Sequence, residues 1–517
     1  MLQFNSMKKP NFYLTTTLPY VNADPHIGFG LEITAADVIV RYKKQTGHNV
    51  IFNTGTDEHG QKIYEKALEN KQTPQEYTDY WAAKFENLKT LLDVDYTHFI
   101  RTTDKNHVEA AQKFWEIVDN NGYIYKKMYK IKYCVGCELE KQDSELVDNC
   151  CPLHPNKELE LREEENYFFK FSEFQNQLLE LYGEEGKDNK EGFVKPAGKL
   201  NEIRSFVKGG LKDFSISRLK EKMPWGVEVP TDKDHVMYVW FDALVNYIST
   251  LGWPNTEGEY KDFWPGVQIA GKDNLRQQSA MWQAMLLAAD LPPSKQILIN
   301  GFVSIDGQKM SKSLGNVISP QEMVDRYGTD GTRFLLMFLG PIGSDMDTSW
   351  EKLDTAFTAH LSNGIGNLCS RVAKMCEKTE YIHQIIDVNK PLMDIDLFRE
   401  ENNKPAEIVK LIDKFYTEFE LSHALDLILK SSDLSRKFMD ENIPLTVSEM
   451  DKYLSSKKPW ALESAQARKV LKPLVDSIIL MAVELKPFMP QTAETIINHF
   501  NQEKIIALKP LFPRLNK

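Results

Sequence analysis

Two glycine-bearing segments roughly 280 residues apart carry complementary phosphate-handling chemistry, and a chain that must bring them together has few folds open to it. The downstream segment, Gly307-Gln308-Lys309-Met310-Ser311-Lys312-Ser313-Leu314-Gly315-Asn316, sets two lysines and two serines among glycines, a composition suited to a mobile loop that grips a phosphate. The upstream segment runs Thr17-Leu18-Pro19-Tyr20-Val21-Asn22-Ala23-Asp24-Pro25-His26-Ile27-Gly28-Phe29-Gly30. There Gly28 and Gly30 let a helix start approach an anion, and the imidazole of His26 can donate to a phosphate oxygen. A doubly wound parallel sheet meets the constraint, because its strand ends converge on one crevice whatever sequence is inserted between them. Singly, each segment also reads as a capped helix start or an exposed basic loop; together they point to a nucleotide site.

The surrounding patterns agree with an α/β domain split by an insertion. Phe12 to Thr17 is a short β-rich run, and a helical period opens at His26 and continues through Ile33, Val38 and Tyr42. Asn49 to Thr54 reads as a buried strand that ends at the polar loop Gly55-Thr56-Asp57-Glu58-His59-Gly60. Cys-, Glu- and Lys-rich sequence interrupts this pattern, with an exposed loop expected at Gly183-Glu184-Glu185-Gly186-Lys187-Asp188-Asn189. Val236 to Phe241 and Val267 to Ala270 then resume as strands. Beyond Thr348 long amphipathic segments take over, such as Leu411 to Leu429 and Val470 to Leu485, with breaks at Pro444 and Pro459. The expected layout is residues 1–122 as the first half of a split Rossmann-like sheet, 123–230 as a zinc-binding insertion, 231–347 as the second half, and 348–517 as an all-α bundle.

At 517 residues the chain needs several domains, and no apolar run of transmembrane length or signal peptide is present, so a cytosolic protein is expected. A formal charge of -11 argues against nonspecific attraction to a polyanion. Local basic stretches remain, at Lys126 to Lys132 and at Arg468, Lys469 and Lys472, where a structured RNA could dock or water could simply solvate the charge.

Six cysteines in such a chain do not suggest a disulfide frame. Cys134-x2-Cys137, followed after thirteen residues by Cys151-x2-His154, has the paired spacing of a closed tetrahedral zinc site, with Cys150 as an alternative to Cys151. Such a site would fold an insertion that has little core of its own. Cys369 and Cys376 read as buried helix residues.

The order His26-Ile27-Gly28 then Lys309-Met310-Ser311-Lys312-Ser313 resembles the class I aminoacyl-tRNA synthetases. Leu18-Pro19-Tyr20-Val21-Asn22, Gly55 to Gly60, Tyr238-Val239-Trp240-Phe241-Asp242-Ala243 and Gly271-Lys272-Asp273 narrow the resemblance to the methionyl-tRNA synthetases, from about Phe12 to about Pro490. The resemblance implies formation of methionyl-adenylate from L-methionine and ATP with Mg²⁺, then transfer to tRNA(Met), initiator tRNA included. It implies that His26, Lys309 and Lys312 stabilise the phosphoryl charge, and that Gly28, Glu228, Gly271 and Asp273 complete the ATP site. Asp57 would take the ammonium of methionine, with Leu18, Tyr20, Trp240, Ala243 and Tyr247 around the side chain. Asn367, Arg371 and Trp460 would read the anticodon, and one structural Zn²⁺ would sit on Cys134, Cys137, Cys151 and His154. Neither membrane nor DNA is an expected partner. The chain stops shortly after the bundle without an appended dimerisation module, so a monomer is expected.

Two departures from the family pattern involve three positions. Phe29 stands where a second histidine is usual, and Asn274 and Gln278 replace an isoleucine and a histidine near the substrate sulfur. Gln278 can still offer an amide donor there. Other readings open at this point are a leucine, isoleucine, valine or cysteine enzyme of the same class, an inactive tRNA-binding relative, and a zinc hydrolase using Asp57, Glu58 and His59.

Overall fold

The computed structural model describes residues 9–137, 139–141, 146–183, 192–310, 315–388, 404–429 and 446–515. At its centre lies a six-stranded sheet in the order His98–Arg101, Asn49–Thr56, Asn11–Thr15, Val267–Gly271, Gln296–Asn300, Val194–Lys195, with every pairing parallel. Successive strand residues point to opposite faces, so Leu14 and Phe52 enter one core while Tyr13 and Ile51 enter the other. The strand order reverses between Asn11–Thr15 and Val267–Gly271, and the crevice at their carboxyl ends is the switch point where such sheets hold ligands. This is the split parallel sheet expected from the sequence.

The stretch expected as an insertion contributes to more than one layer. A four-stranded antiparallel sheet runs Leu139–Lys141, Ile124–Cys134, Glu160–Phe169, Phe214–Ser215. Its register sets Lys130 across from Glu163, so the basic stretch from Lys126 to Lys132 lies along a glutamate-rich strand. Val194–Lys195, from the same stretch, returns to the edge of the central sheet beside Gln296–Asn300. The loop expected at Gly183 to Asn189 falls at 184–191, outside the described residues.

The apolar run from Val236 to Phe241 does not continue the parallel sheet. Asp232–Met237 is the middle strand of a small antiparallel sheet with Ser217–Leu219 and Glu228–Val229, and Val239–Ala243 is a short helix. Periodicity alone cannot separate a buried strand from a buried helical turn.

Helices of the C-terminal part, Asn367–Lys378, Lys404–Thr417, Leu421–Leu429, Val447–Lys457, Ser464–Leu485 and Pro490–Phe500, pack onto the face of the sheet that carries Leu14. Their core is continuous with it, from Leu31 and Leu336 through Leu368, Leu425, Leu474 and Phe488. The single amphipathic segment expected from Leu411 to Leu429 is two helices, broken where Phe419 takes a left-handed backbone with φ of 63°. Pro459 opens a one-turn helix, Pro459–Ala461, as expected; Pro444 lies outside the described residues. Arg333 is wholly buried where the parts meet. Its guanidinium pairs with Asp37 at 2.7 Å and donates to the carbonyls of Leu92, Pro487 and Phe488, satisfying a charge that would otherwise be costly to bury.

Candidate active site

Helix Ile27–Gln45 begins at the switch point, capped by His26 in place of the usual serine, threonine or asparagine. The backbone N–H of Gly28 donates to His26 Nδ1 at 3.0 Å, which leaves the ring proton of the neutral imidazole on Nε2. A Cβ on Gly28 would lie 2.8 Å from His26 Cε1 and 3.6 Å from the methyl of Met310, so glycine is needed for the ring to fold back over the helix start. The two sequence-distant segments meet here. Ile27 N–H donates to Ile318 O at 3.0 Å, and a Cβ on Gly30 would lie 3.3 Å from Pro320 Cγ. The helix that follows, Pro320–Phe338, starts with a capping box between Ser319 and Glu322 and with Pro320 in its first turn, which sets where the loop ends.

Within the loop, Lys309 Nζ stands 5.2 Å from the centre of the Phe302 ring, Lys272 Nζ stands 4.2 Å from the same ring, and Asn316 Nδ2 donates to Lys309 O at 3.2 Å. Lys312 lies outside the described residues. Phe29 packs edge-on against Phe85 at 5.7 Å, so the aromatic replacement is absorbed into the core.

Glu32, one turn into the same helix, went unnoticed in the sequence. It accepts from Thr17 N and Thr17 Oγ1 at 2.9 and 2.5 Å, and it also takes a backbone bond from Gly271, joining the ends of the two switch-point strands. Burial raises its carboxyl to about 7, against the lowering effect of the Thr17 bonds. Its only sequence signal was an acid among the apolar residues of the first turns of the helix. Asp273 is exposed, and its Oδ1 lies 2.7 Å from where a Cβ on Gly271 would be, so the glycine makes room for that carboxylate. Glu228 is exposed on the small antiparallel sheet and pairs with Lys220, which lowers its carboxyl; its backbone carbonyl accepts from Gln112.

A second group forms beside the first. Asp57 N–H donates to Pro19 O at 3.0 Å and Val21 N–H to Asp57 O at 3.3 Å, so the Leu18 to Tyr20 segment lies along the end of strand Asn49–Thr56. Tyr20 Oη donates to His59 O at 2.6 Å. Asp57, Ala243, Tyr247 and Gln278 are buried, while Leu18, Tyr20 and Trp240 are half-buried. Gln278 sits in a one-turn π-helix, Gln277–Met281, and donates from Nε2 to Tyr247 Oη at 2.6 Å. A chain of side chains holds that amide, since Gln268 Nε2 donates to Gln278 Oε1 at 3.4 Å and Ser294 Oγ to Gln268 Oε1 at 2.7 Å. Burial raises the Tyr247 hydroxyl well above its ordinary range, and the Glu32 and Asp57 carboxylates add to that. Asn274 is half-buried in the adjoining turn. Glu58 is held by Arg101 at 2.6 and 2.9 Å and His59 by Asp242 at 2.6 Å, interactions that argue against the hydrolase reading of this loop.

Cys134, Cys137, Cys151 and His154 bring their donor atoms within 4.8 Å of one another. Cys137 Sγ lies 3.4 Å from Cys151 Sγ and 3.2 Å from His154 Nδ1, and Cys134 Sγ lies 3.8 Å from that nitrogen. Tetrahedral zinc with Zn–S near 2.3 Å sets neighbouring donors roughly 3.5–3.8 Å apart, so the donor set fits such an ion. Of the adjacent cysteines it is Cys151 that joins the group, while Cys150 bridges back to Val147. Gly136 lets the His154 ring approach, since a Cβ there would lie 2.5 Å from it. Burial lowers the His154 imidazole, and the positive charges of Lys62, Lys157, Lys141 and Lys309 add to that.

In the bundle, Asn367 is exposed, Arg371 pairs with Asp451 at 2.5 Å, and the Arg371 guanidinium lies 5.9 Å from the centre of the Trp460 ring. Cys369 and Cys376 are buried on the same helix, and burial pushes both thiols up to about 12.

Residues 12–158 and 141–373 match the family model for tRNA synthetases class I (M). The methionine--tRNA ligase of Rickettsia bellii is 37% identical over 94% of this chain and 92% of its own length, and that of Caldanaerobacter subterraneus subsp. tengcongensis is 38% identical over 94% and 73%. The Mycobacterium tuberculosis methionyl-tRNA synthetase in complex with methionyl-adenylate superposes with a TM-score of 0.84 at 29% identity, covering 98% of this chain and all of that one. Its apo form superposes with a TM-score of 0.78 at 28% identity, covering 99% of each chain. Since these matches span the sheet, the knuckle and the bundle alike, this chain belongs to the methionyl-tRNA synthetase family of class I tRNA synthetases.

Proposed function

We infer that this chain is a methionine--tRNA ligase, which activates L-methionine with ATP to methionyl-adenylate and transfers the methionyl group to tRNA(Met), initiator tRNA included. The observation that carries the reading is the junction of Ile27 with Ile318 and of Gly28 with Met310, which supports one phosphate site at the switch point, next to a buried acid and a tyrosine.

In the first step the methionine carboxylate attacks the α-phosphorus in line, and pyrophosphate leaves. The helix start, His26 Nε2–H, Lys309 and Lys312 meet the charge that grows on the phosphate oxygens. Gly28, Gly271, Asp273 and Glu228 hold the nucleoside part, and Mg²⁺ comes with ATP. Asp57 takes the ammonium group, while Leu18, Tyr20, Trp240, Ala243 and Tyr247 surround the thioether. Gln278 acts on that pocket through Tyr247: by donating to Oη it turns the tyrosine's own proton away from the bond and toward the sulfur. In the second step a terminal ribose hydroxyl of tRNA attacks the activated carbonyl, the acyl–phosphate bond breaks, and AMP leaves as the methionyl ester forms. No protein nucleophile is needed, so the chain contributes position and field.

Cys134, Cys137, Cys151 and His154 would hold a Zn²⁺ whose contribution is to fold the knuckle. An unstacked anticodon base would stack on Trp460, with Asn367 and Arg371 at base edges. Among the described residues, no helix is long and apolar enough to cross a membrane, and a cytosolic monomer is the proposed form. Exchange of labelled pyrophosphate into ATP, driven by methionine and by no other amino acid, together with charging of tRNA(Met), tests the reading. Exchange driven by leucine, isoleucine, valine or cysteine in its place would overturn it.

A further inference from the structure

Two histidines converge on one buried carboxylate between the walls of the amino-acid pocket. His59 Nδ1 lies 2.6 Å from Asp242 Oδ2, His107 Nε2 lies 2.8 Å from Asp242 Oδ1, and His107 Nδ1 meets Ser249 Oγ at 3.0 Å. All four residues are buried. Burial would raise the Asp242 carboxyl, but the two imidazoles outweigh it and hold the group at about 2, so an anion accepts from both rings at neutral pH.

These groups come from three separate stretches. His59 belongs to the loop after strand Asn49–Thr56, His107 to helix Lys105–Asn120, and Asp242 to the turn Val239–Ala243 that follows the inserted sheets. His59 and Asp242 are each tied to pocket residues, and His107 reaches the pocket through Asp242. Asp57 lies two residues before His59, whose carbonyl accepts the Tyr20 hydroxyl, while Trp240 and Ala243 flank Asp242. Trp225 closes the loop side, with its ring edge-on to His59 at 5.5 Å and its Nε1–H donating to Glu58 O at 2.6 Å. A buried anion held from two sides permits little sliding, because losing either partner leaves a desolvated charge.

We propose that His59, Asp242 and His107 form a buried clamp that sets the distance between the two walls of the methionine pocket, and that all three are positioning residues for methionine binding. The inference rests on the reading that Tyr20, Asp57, Trp240 and Ala243 line that pocket.

The test compares Asp242→Asn, His107→Gln and Asp57→Asn in the full chain by pyrophosphate exchange, with the KM for methionine and for ATP measured separately. Asp242→Asn and His107→Gln are each expected to raise the methionine KM about tenfold and to leave the ATP KM within about twofold. In nitrogen-15 histidine spectra, the downfield imidazole N–H signals are expected to vanish in Asp242→Asn and to persist in Asp57→Asn. A methionine KM unmoved in the clamp variants, or an ATP KM rising in parallel, overturns the clamp. If Asp57→Asn leaves the methionine KM unchanged, the pocket reading itself falls; if it raises that KM while the clamp variants do not, only the clamp falls. His107→Gln decides alone should Asp242→Asn fail to fold.

Discussion

Ile27 N–H donates to Ile318 O at 3.0 Å, which ties the first turn of the first long helix to the exit of the lysine loop. Two segments from opposite ends of the split domain thereby share one backbone hydrogen bond.

His26 has two jobs that substitution can separate. His26→Ala removes the helix cap, for about 1 kcal/mol of stability, together with the Nε2 donor, so both Tm and the exchange rate should fall. His26→Asn restores the cap, since asparagine is a good capping residue, but not the imidazole. The Tm should recover while kcat for exchange stays at least about tenfold down. Recovery of both would assign the ring a capping role alone.

The donor set predicts about one zinc per chain, measurable by elemental analysis. Cys151→Ser should lose the metal, whereas Cys150→Ser should keep it. Equal retention in the two variants would remove Cys151 from the ligand set.

Gln278→Leu deletes the donor to Tyr247 Oη and leaves Gln268 with an unsatisfied buried amide, costing about 1–3 kcal/mol of stability. The methionine KM should rise as well, because the tyrosine proton is no longer directed. Gln278→His, which can donate to the same oxygen, should restore methionine binding more than stability. An unchanged methionine KM in the leucine variant would confine Gln278 to packing.

Glu484 reports the pH dependence of the interface between sheet and bundle. It is buried near Tyr42 and Tyr416, whose rings stack at 3.8 Å, and desolvation raises its carboxyl to about 8. The folded form therefore keeps a proton that the unfolded chain releases above pH 4.5, so stability declines as pH rises from there to about 8 and then levels off. Glu484→Gln removes that decline. Its stability relative to the parent should grow across the same window by up to roughly 5 kcal/mol, read from denaturant unfolding at several pH values. A constant difference would mean that the carboxyl titrates normally.

Trp460→Ala should raise the KM for tRNA in the charging reaction, at a cost of about 1–3 kcal/mol per lost base stack, while methionine-dependent exchange is untouched. A matching loss in exchange would place Trp460 in interhelical packing instead.

Local chemistry was legible without the fold. His26-Ile27-Gly28, the lysine loop and the Cys-x2-Cys and Cys-x2-His pairs suggest their chemistry through residue type and short spacing, and the helical character of the C-terminal part follows from its apolar period. The parallel sheet followed from the alternation of strand, loop and helix.

Relations between distant stretches were not legible. Val239–Ala243 is helical and turns Asp242 inward to His59 and His107, and no pattern within six apolar residues announces that. Glu32 gains its place only through Thr17 and Gly271, and Val194–Lys195 pairs with Gln296–Asn300 at the edge of the sheet. Sequence by itself determined which chemical groups the chain carries and the type of most of its elements, because those depend on neighbours a few residues away. Tertiary structure alone decided which groups meet, since burying a charge or pairing an edge strand is favourable only when a partner from elsewhere in the chain is already in reach.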